Sequence, residues 1–471
     1  MQSSGTMVSR LPDLAELEQR LSGKLISPDD DGYDEARKVW NGSIDRRPLF
    51  IARCSGTADV MAAVGFARDN GLLVAVRGGG HNVAGNAVCD GGMVIDLSGL
   101  KGIWIDPATR TARVQPGVTW GEFDREAQAF GLATPGGLVS MTGVAGFTLG
   151  GGIGWLSRKY GAASDNLLSV DVVTAEGRHL RASESENEDL FWGVRGGGGN
   201  FGIATSFEFQ LHQVGPEVLG GMMFYSAEHA HQLLRIQRDH LASAPDELFS
   251  ASVLKLAPPA PFLPAQVHGT SIVILGVCWV GEHEEGLEFL SPLSDMGEPL
   301  ANLVAMRPYT QLQSMLDAGW LPGFQNYWKA QYLSGLPDDA IETVLSKAAE
   351  ITSPLSDLKV FPIGGAFGRL GEEDSAMSHR SAPWVININS RWVDPHESGR
   401  HMQWTRELWS AVRPFSTGGV YVNFLGDEGE DRVREAYGPA KYERLVALKN
   451  KYDPTNLFRL NQNIKPTFSA R

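Results

Sequence analysis

The chain has 471 residues, of which 42% are hydrophobic and 20% charged, a composition typical of a globular protein too long for one ordinary core. Its 55 acidic residues outnumber its 41 basic ones, giving a formal net charge of −14, and no basic patch suggests a nucleic-acid partner. We find no apolar run that would span a bilayer and no signal-peptide core in Met1–Leu17, so we expect a cytoplasmic protein without a membrane partner.

The three cysteines, Cys54, Cys89 and Cys278, are widely spaced and odd in number. They fit neither a disulfide framework nor a zinc motif, and buried thiols in a reducing compartment are the simplest interpretation. His229 and His231 have no third ligand in view, so we predict no metal site.

Glycine is the informative residue of the first half of the chain. The clusters lie at Gly78–Gly80, Gly91–Gly92, Gly136–Gly137, Gly150–Gly152 and Gly196–Gly199. Glycine allows a backbone to approach a ligand closely. Between the clusters, the sequence predicts a helix over Asp59–Asn70 and strands over Met93–Leu97 and Leu168–Ala175, which indicates a mixed α and β region.

After Pro216 the pattern changes to longer strands with helices between them. The alternation in Val385–Trp392 predicts a strand whose polar face, with Asn387, Asn389 and Arg391, lines a cavity. The remaining predicted elements are strands at 270–281 and Asn326–Tyr332, and helices at Ala227–Ala242, Pro337–Ser353 and Pro439–Tyr452. This order favours an antiparallel sheet with covering helices as a second domain.

One short segment contains the residues that we expect to bind a ligand and to react with it. Arg77-Gly78-Gly79-Gly80-His81-Asn82 directly follows an apolar strand. Its unobstructed N–H groups could surround a pyrophosphate, and Arg77 could contribute a positive charge beside it. His81, at the end of the loop, would then be placed to act as a nucleophile. The loop alone fits a glycine-rich turn capped by a histidine equally well.

Gly197–Gly202 also matches the GxGxxG pattern. It follows Asp189-Leu190-Phe191-Trp192 rather than a strand and opens no βαβ unit, so a nicotinamide site is not predicted there.

At the Arg77–His81 loop the chain resembles the flavin oxidases of the vanillyl-alcohol oxidase and p-cresol methylhydroxylase superfamily, in particular their berberine-bridge-enzyme-like branch. The resemblance continues through Val94–Ser98, Gly150–Gly161, Asp165-Asn166, Asp189–Trp192, Arg195-Gly196, Gly199–Gly202, Tyr421–Phe424 and Tyr452–Arg459. These matches occur in order along nearly the whole chain.

The resemblance implies an α+β, two-domain fold of the p-cresol methylhydroxylase type. A discontinuous FAD-binding domain would comprise residues 1–212 and 421–471, and a central antiparallel-sheet substrate domain covered by helices would comprise residues 213–420. It also implies FAD bonded through its 8α-methyl group to His81. The residues expected to bind the cofactor are Arg77, Gly78, Gly79, Gly80, His81, Asn82, Val139, Thr142, Gly143, Gly146, Gly150, Gly151, Gly202, Ile203, Tyr421, Asn423 and Asn461.

The chain departs from the patterns of this family in two respects, and the first concerns the attachment of the flavin. Doubly attached members have a second bond, from a cysteine to flavin C6, but that position is Val139 here, so we expect attachment through His81 alone. Three residues further on, Thr142 has nearly the shape of the valine that admits oxygen in family oxidases, which favours reoxidation by O2.

The second departure concerns the catalytic base. Some members end a Y-x-N-Y strand in a tyrosine that takes a proton from a hydroxyl group, but here that residue is Phe424. This loss argues mildly against carbohydrate substrates. We predict Tyr332, Asn387 and Asn389 as catalytic residues, with Tyr332 as the candidate proton acceptor. Trp328 and Tyr332 are candidate pocket aromatics, although packing in the domain core explains them equally well.

The sequence therefore predicts an FAD-dependent oxidase that moves a hydride from a small alcohol, amine or natural product to flavin N5 and is reoxidised by O2 to H2O2. Two alternatives remain open. One is a flavin dehydrogenase with another electron acceptor, and the other is a flavin-binding protein without turnover. We assign His379-Arg380, in a polar loop, to the surface.

Overall fold

The computed structural model describes residues 14–467, which form three main sheets with helices between and around them. The strands are β1 Lys24–Ile26, β2 Phe50–Arg53, β3 Val74–Arg77, β4 Met93–Asp96, β5 Ile103–Asp106, β6 Thr111–Val114, β7 Leu132–Ala133, β8 Leu167–Val173, β9 His179–Ser183, β10 Ile203–Gln210, β11 His212–Gln213, β12 Glu217–Ser226, β13 Leu248–Leu256, β14 Ser271–Trp279, β15 Ala301–Asn302, β16 Ala305–Pro308, β17 Gln325–Leu333, β18 Asp357–Pro362 and β19 Trp384–Trp392. The helices are α1 Leu14–Arg20, α2 Tyr33–Ala36, α3 Thr57–Asp69, α4 Trp120–Gln128, α5 Val144–Leu149, α6 Ser157–Tyr160, α7 Glu188–Val194, α8 Ala230–Asp239, α9 His283–Leu290, α10 Tyr309–Ser314, α11 Asp338–Ala348, α12 Ala366–Arg369, α13 Ser398–Val412, α14 Glu430–Tyr437 and α15 Pro439–Tyr452.

The first sheet has four strands in the order β1-β2-β4-β3, and β4 runs parallel to both of its neighbours. Because parallel strands need a crossover, α3 carries the chain from β2 to β3. It packs Val60, Ala63, Val64 and Ala67 against the sheet and ends at Asn70 before Gly71, whose φ is +62°. The next glycine loop therefore starts at the carboxyl end of β3.

The second sheet is antiparallel, in the order β5-β6-β10-β8-β9. One of its faces is covered by a core that contains Trp120 and Phe123 of α4 and Phe207 and Phe209 of β10. The ring of Trp120 contacts Phe147 of α5 edge-on, with centroids 5.5 Å apart, so this core also fixes the helix that follows Gly143.

The third sheet has eight strands in the order β15-β12-β14-β13-β18-β19-β17, with β16 paired to β12, and all of its pairs are antiparallel. Helices α8, α11 and α13 pack on one face, where Leu233, Ile341 and Leu408 are buried. The predicted α+β fold class is confirmed. All strands of this sheet lie between Glu217 and Trp392, inside the predicted substrate domain, whose boundaries stay a prediction.

The last helix, α15, is tied to the backbone at Asn200 and Phe458 by a fully buried ion pair. Lys449 Nζ lies 2.6 Å from Asp453 Oδ2 and also donates to the carbonyl oxygens of Asn200 (2.8 Å) and Phe458 (2.9 Å). Asp453 in turn accepts the backbone N–H groups of Leu457 and Phe458. The pair therefore holds two separate backbone segments in place.

Val422–Phe424 form a 3-10 turn, with no sheet partner among residues 14–467. One local prediction was wrong. Arg380 is buried, not on the surface, because its guanidinium lies against both carboxylate oxygens of Asp165, at 3.0 and 2.5 Å. Arg380 is thus buried, although its loop is polar, because the carboxylate of Asp165, distant in sequence, pairs with it.

The three cysteines are buried, as predicted, and unpaired. None of the helices between residues 14 and 467 combines the length and the apolar character needed to cross a membrane.

We expect Lys449→Met to lower the free energy of unfolding by about 3–5 kcal/mol, because it leaves the Asp453 carboxylate buried without its cation. Urea unfolding of the purified holoprotein measures this. Lys451→Met is the matched control: Lys451 pairs with Asp189 at the surface, and its loss should cost less than about 1 kcal/mol. Equal effects of the two substitutions would contradict the importance of the buried pair.

Candidate active site

A cavity of about 320 Å³ lies between the glycine loops and the third sheet. The loops after β3 and around α5 line it from one side, and β17, β18 and β19 contribute side chains from the other. The C-terminal segment closes it through Tyr421–Phe424 and Phe458–Gln462. The cavity therefore unites residues that lie hundreds of positions apart in the chain.

His81 faces this cavity at the end of the Gly78–Gly80 loop. Its imidazole stacks on the indole of Trp40, with centroids 4.3 Å apart and planes at 19°, while the backbone N–H of Trp40 donates to the carbonyl of Gly80. The Nε2 atom is buried and has no hydrogen-bond partner. Burial, aided by the positive charge of Arg391, lowers the pKa of His81 to about 4, so the ring is neutral at pH 7.

Two glycine contacts set the shape of the loops. A Cβ atom on Gly79 would lie 2.6 Å from Cα of Gly143, so the two backbones cross too closely for any side chain. A Cβ atom on Gly150 would overlap the side-chain amide of Asn423. The sequence therefore needs glycine at these places for packing, independently of any ligand.

Tyr421 and Asn423 connect the C-terminal segment to the glycine turn after α5. The Tyr421 hydroxyl accepts the N–H groups of Gly152 (2.8 Å) and Ile153 (3.2 Å), and Asn423 Nδ2 donates to it at 2.8 Å and to the Phe147 carbonyl at 2.9 Å. Burial raises the pKa of Tyr421 to about 12. Tyr421 therefore acts here as a hydrogen-bonding anchor and stays protonated.

Most residues predicted to bind the cofactor lie around the cavity. Those that line it are Gly78, Gly79, Gly80, His81, Asn82, Val139, Thr142, Gly143, Gly146, Gly150, Gly202, Ile203, Tyr421, Asn423 and Asn461.

Two of the predicted residues do not line it. The guanidinium of Arg77 is held by Asp96 at 2.7 Å and by the Lys38 carbonyl, so it supports the loop from behind and does not face a pyrophosphate. Gly151, with a φ of +108°, packs against the side chain of Met377.

The three predicted catalytic residues also divide into those that line the cavity and those that do not. Asn387 lines the cavity, whereas Asn389 lies behind it and accepts a hydrogen bond from Lys359 Nζ at 2.8 Å. Tyr332 is fully buried and borders only a small neighbouring space of about 10 Å³ next to Tyr421. The register explains this difference: Tyr332 pairs with Val385, so it lies further along the same sheet face than Asn387 and beneath Tyr421.

Sequence reasoning missed several residues of the site. Trp328 was proposed as a pocket aromatic and does line the cavity, but Trp320 and Lys359 were not considered, and both line it. A single lysine in the apolar strand β18 was the available signal. The GxGxxG match supplies further lining residues, Gly198, Gly199 and Gly202, although it precedes β10 without forming a βαβ unit.

The site suits a large polar cofactor such as FAD. Glycine loops expose backbone along one wall. Four lining residues carry a buried polar atom without a hydrogen-bond partner: His81 Nε2, Asn461 Oδ1, Trp328 Nε1 and Asn387 Nδ2. Such atoms are costly in a folded protein unless something binds them.

Comparison with known proteins identifies the family. Residues 48–183 match the model of the FAD binding domain, and residues 420–465 match the model named "Berberine and berberine like". The chain is 33% identical to (R)-6-hydroxynicotine oxidase of Paenarthrobacter nicotinovorans over 457 residues, which cover 95% of this chain and 97% of the relative. The chain belongs to the berberine-bridge-enzyme-like family of FAD-linked oxidoreductases.

Further comparisons agree. An FAD-linked oxidoreductase of Dictyostelium discoideum is 31% identical over 91% of both chains. The crystal structure of 6-hydroxy-D-nicotine oxidase from Arthrobacter nicotinovorans superposes with a TM-score of 0.85 at 31% identity, covering 94% of this chain and 98% of that one. The predicted family, FAD as cofactor and oxidoreductase class are thereby confirmed.

We expect Gly79→Ala to prevent normal assembly of the cofactor site, because the added methyl group must push the Gly143 backbone away. The strain should cost about 1–3 kcal/mol and lower the ratio of flavin to protein absorbance in the purified protein severalfold. In Gly65→Ala the new methyl group, in the middle of α3, meets no atom within 4 Å, so flavin content should stay unchanged. Full flavin content in Gly79→Ala would show that the crossing tolerates a side chain.

Proposed function

We propose that this protein is an FAD-dependent oxidase of small organic molecules, with the flavin bonded covalently to His81 and to no other residue. The observation that carries this proposal is the state of His81: a buried, neutral imidazole that lines the cavity from the end of a glycine loop and whose Nε2 has no hydrogen-bond partner. A neutral ring nitrogen is the form that can act as a nucleophile.

The bound FAD would supply the redox chemistry, taking a hydride from the substrate at N5 and returning electrons to O2 to give H2O2. The chain's own residues would position and enclose the reactants. Trp40 fixes the plane of His81 by stacking, and the Tyr421–Asn423 pair fixes the turn after α5. The name of the nicotine-oxidising relative supports an oxidase.

Single attachment follows from Val139, which lines the cavity but offers only methyl groups. No cysteine can provide a second bond there, because Cys54, Cys89 and Cys278 are buried elsewhere and none of them lines the cavity.

We therefore expect acid-precipitated protein to stay yellow, with the flavin mass on the peptide that contains His81. His81→Ala should release all of its flavin into the acid supernatant. His268→Ala is the control, because that ring bonds to the Leu263 carbonyl in a loop away from the cavity, and it should keep its covalent flavin. Covalent flavin that persists in His81→Ala would refute the assignment.

The catalytic base differs from the sequence-based expectation. Tyr332 does not reach the cavity, and burial raises its pKa far above the physiological range, so it is a poor proton acceptor. Phe424, which does line the cavity, cannot ionise. We therefore assign Asn387 a positioning role toward the substrate, and Asn389 and Tyr332 supporting roles outside the cavity.

Reoxidation by O2 is favoured by Thr142, a lining residue of about the size of valine. A dehydrogenase that uses another acceptor is the competing function. The cytoplasmic location stays an expectation.

Replacing Thr142 by Val should leave the rate of flavin reoxidation by O2 within about twofold, because the shape is retained. Thr142→Leu should slow it by about tenfold or more by filling the path to the flavin, a barrier increase of about 1.4 kcal/mol. Stopped-flow mixing of photoreduced protein with oxygenated buffer measures both rates without any substrate. A slow wild-type rate, rescued by an artificial electron acceptor, would favour the dehydrogenase.

A further inference from the structure

The cavity has an unbalanced charge. Apart from the neutral His81, Lys359 is the one basic residue that lines the cavity, and no Asp or Glu of residues 14–467 lines it. Arg391 lies just behind, with its guanidinium carbon 5.6 Å from the Trp320 ring centroid and bonded to the Leu321 carbonyl at 2.6 Å. The carboxylate of Asp357 balances only one of these two cations. This end of the cavity is therefore net positive.

The sheet register brings Lys359 to this place. Lys359 on β18 pairs with Asn387 on β19, and Trp328 on β17 pairs with Asn389 two residues further along. Directly paired residues of antiparallel strands point to the same face, so all four side chains share the face toward the cavity. The juxtaposition depends on three strands that are far apart in sequence.

The contacts of Lys359 favour its charged form. Its Nζ donates to Asp357 and to Asn389 Oδ1, and it lies 4.3 Å from the ring centroid of Trp320. A carboxylate, an amide oxygen and an aromatic face each stabilise an ammonium group, although burial lowers the pKa of Lys359. Two of its three N–H groups are used, and the third has no partner within residues 14–467.

Two further donors in the same region lack a partner. Asn387, only 2% exposed, has a buried Nδ2 without an acceptor, and the indole Nε1 of Trp328 is also buried and unpaired. Both residues line the cavity. Buried N–H groups without acceptors are costly, and a ligand oxygen is the group that would satisfy them.

We propose that this end of the cavity recognises an anionic oxygen, a carboxylate or phenolate, on an aromatic substrate, with Lys359 as the specificity-determining residue and Asn387 and Trp328 as additional donors. The walls formed by Leu316, Trp320, Trp328 and Phe424 suit the aromatic part. This proposal rests on the proposed function in taking the cavity as the substrate site, and it narrows the substrate class.

The same charges exclude a protonated amine as the preferred ligand. An ammonium group entering the cavity would meet no carboxylate among the lining residues and would face Lys359 at close range. The Trp320 ring, which could otherwise hold a cation, already carries the Lys359 ammonium.

The test is calorimetric binding of three matched probes, benzoate, benzyl alcohol and benzylamine, to the holoprotein at pH 7. We expect benzoate to bind at least about tenfold more tightly than benzylamine, with benzyl alcohol between them. Benzylamine binding as tightly as benzoate would overturn the proposal.

Substitutions test whether Lys359 is the residue that causes the preference for benzoate. Lys359→Met should weaken benzoate binding by about tenfold or more and leave benzyl alcohol nearly unchanged. Because it leaves Asp357 unpaired and could impair folding, the double variant Asp357→Asn/Lys359→Met removes both charges and should also lose the preference for benzoate. Lys255→Met is the matched control: it removes the lysine that lies opposite Asp357 in the register of β13 and β18 but does not line the cavity, so the preference should persist.

A preference for benzoate that survives in the folded double variant would also overturn the proposal. The binding measurement needs no turnover, so its failure is distinct from failure of the proposed function. Covalent flavin and peroxide production with no benzoate preference would refute only the role of Lys359. Conversely, the flavin could wash out in acid while benzoate selectivity still depends on Lys359. That result would refute only the covalent linkage.

Discussion

The site depends on one steric constraint, the crossing of two backbones at Gly79 and Gly143. Their close approach leaves no room for a Cβ atom on either residue. It joins the loop after the parallel sheet to the loop before α5, and both loops line the cavity. His81 and Thr142 lie within two residues of this crossing, and both line the cavity.

Several independent contacts hold this crossing from outside. Trp40 stacks on His81 and bonds to Gly80, and the Arg77–Asp96 ion pair supports the base of the loop. The chain returns from the third sheet to add Tyr421 and Asn423 to the turn after α5. The Lys449–Asp453 pair then fixes Asn200 and Phe458 at the same cavity. Apart from the stacking of Trp40, these contacts are hydrogen bonds and ion pairs made within the protein, and they rigidify the surroundings of the cavity.

The two sides of the cavity have different chemical character. The glycine side offers backbone and a neutral histidine, which suits a cofactor, whereas the sheet side offers aromatic rings, Asn387 and the Lys359 ammonium, which suits a substrate. The positive charge at the sheet side also acts on His81, because Arg391 contributes to the low pKa of its imidazole. Arg391, which lies behind Lys359, thus helps to keep His81 neutral.

The sequence by itself determined the α+β class, the family, the histidine loop and most of the residues that line the cavity. The mixed α and β character follows from local patterns, such as a short apolar strand before Gly78 and a helical period in α3. The family and the lining residues follow from the resemblance of the glycine and histidine motifs to those of known flavin oxidases. Only the tertiary structure decided what distant residues do. Arg77 and Arg380 are neutralised by Asp96 and Asp165 and not by solvent or ligand. Tyr332 and Lys359 lie on one sheet face, yet only Lys359 reaches the cavity, because strand register places Tyr332 beneath Tyr421. Periodicity gives the face of a strand, but the depth of a side chain along that face depends on which strands are neighbours and on what packs above them.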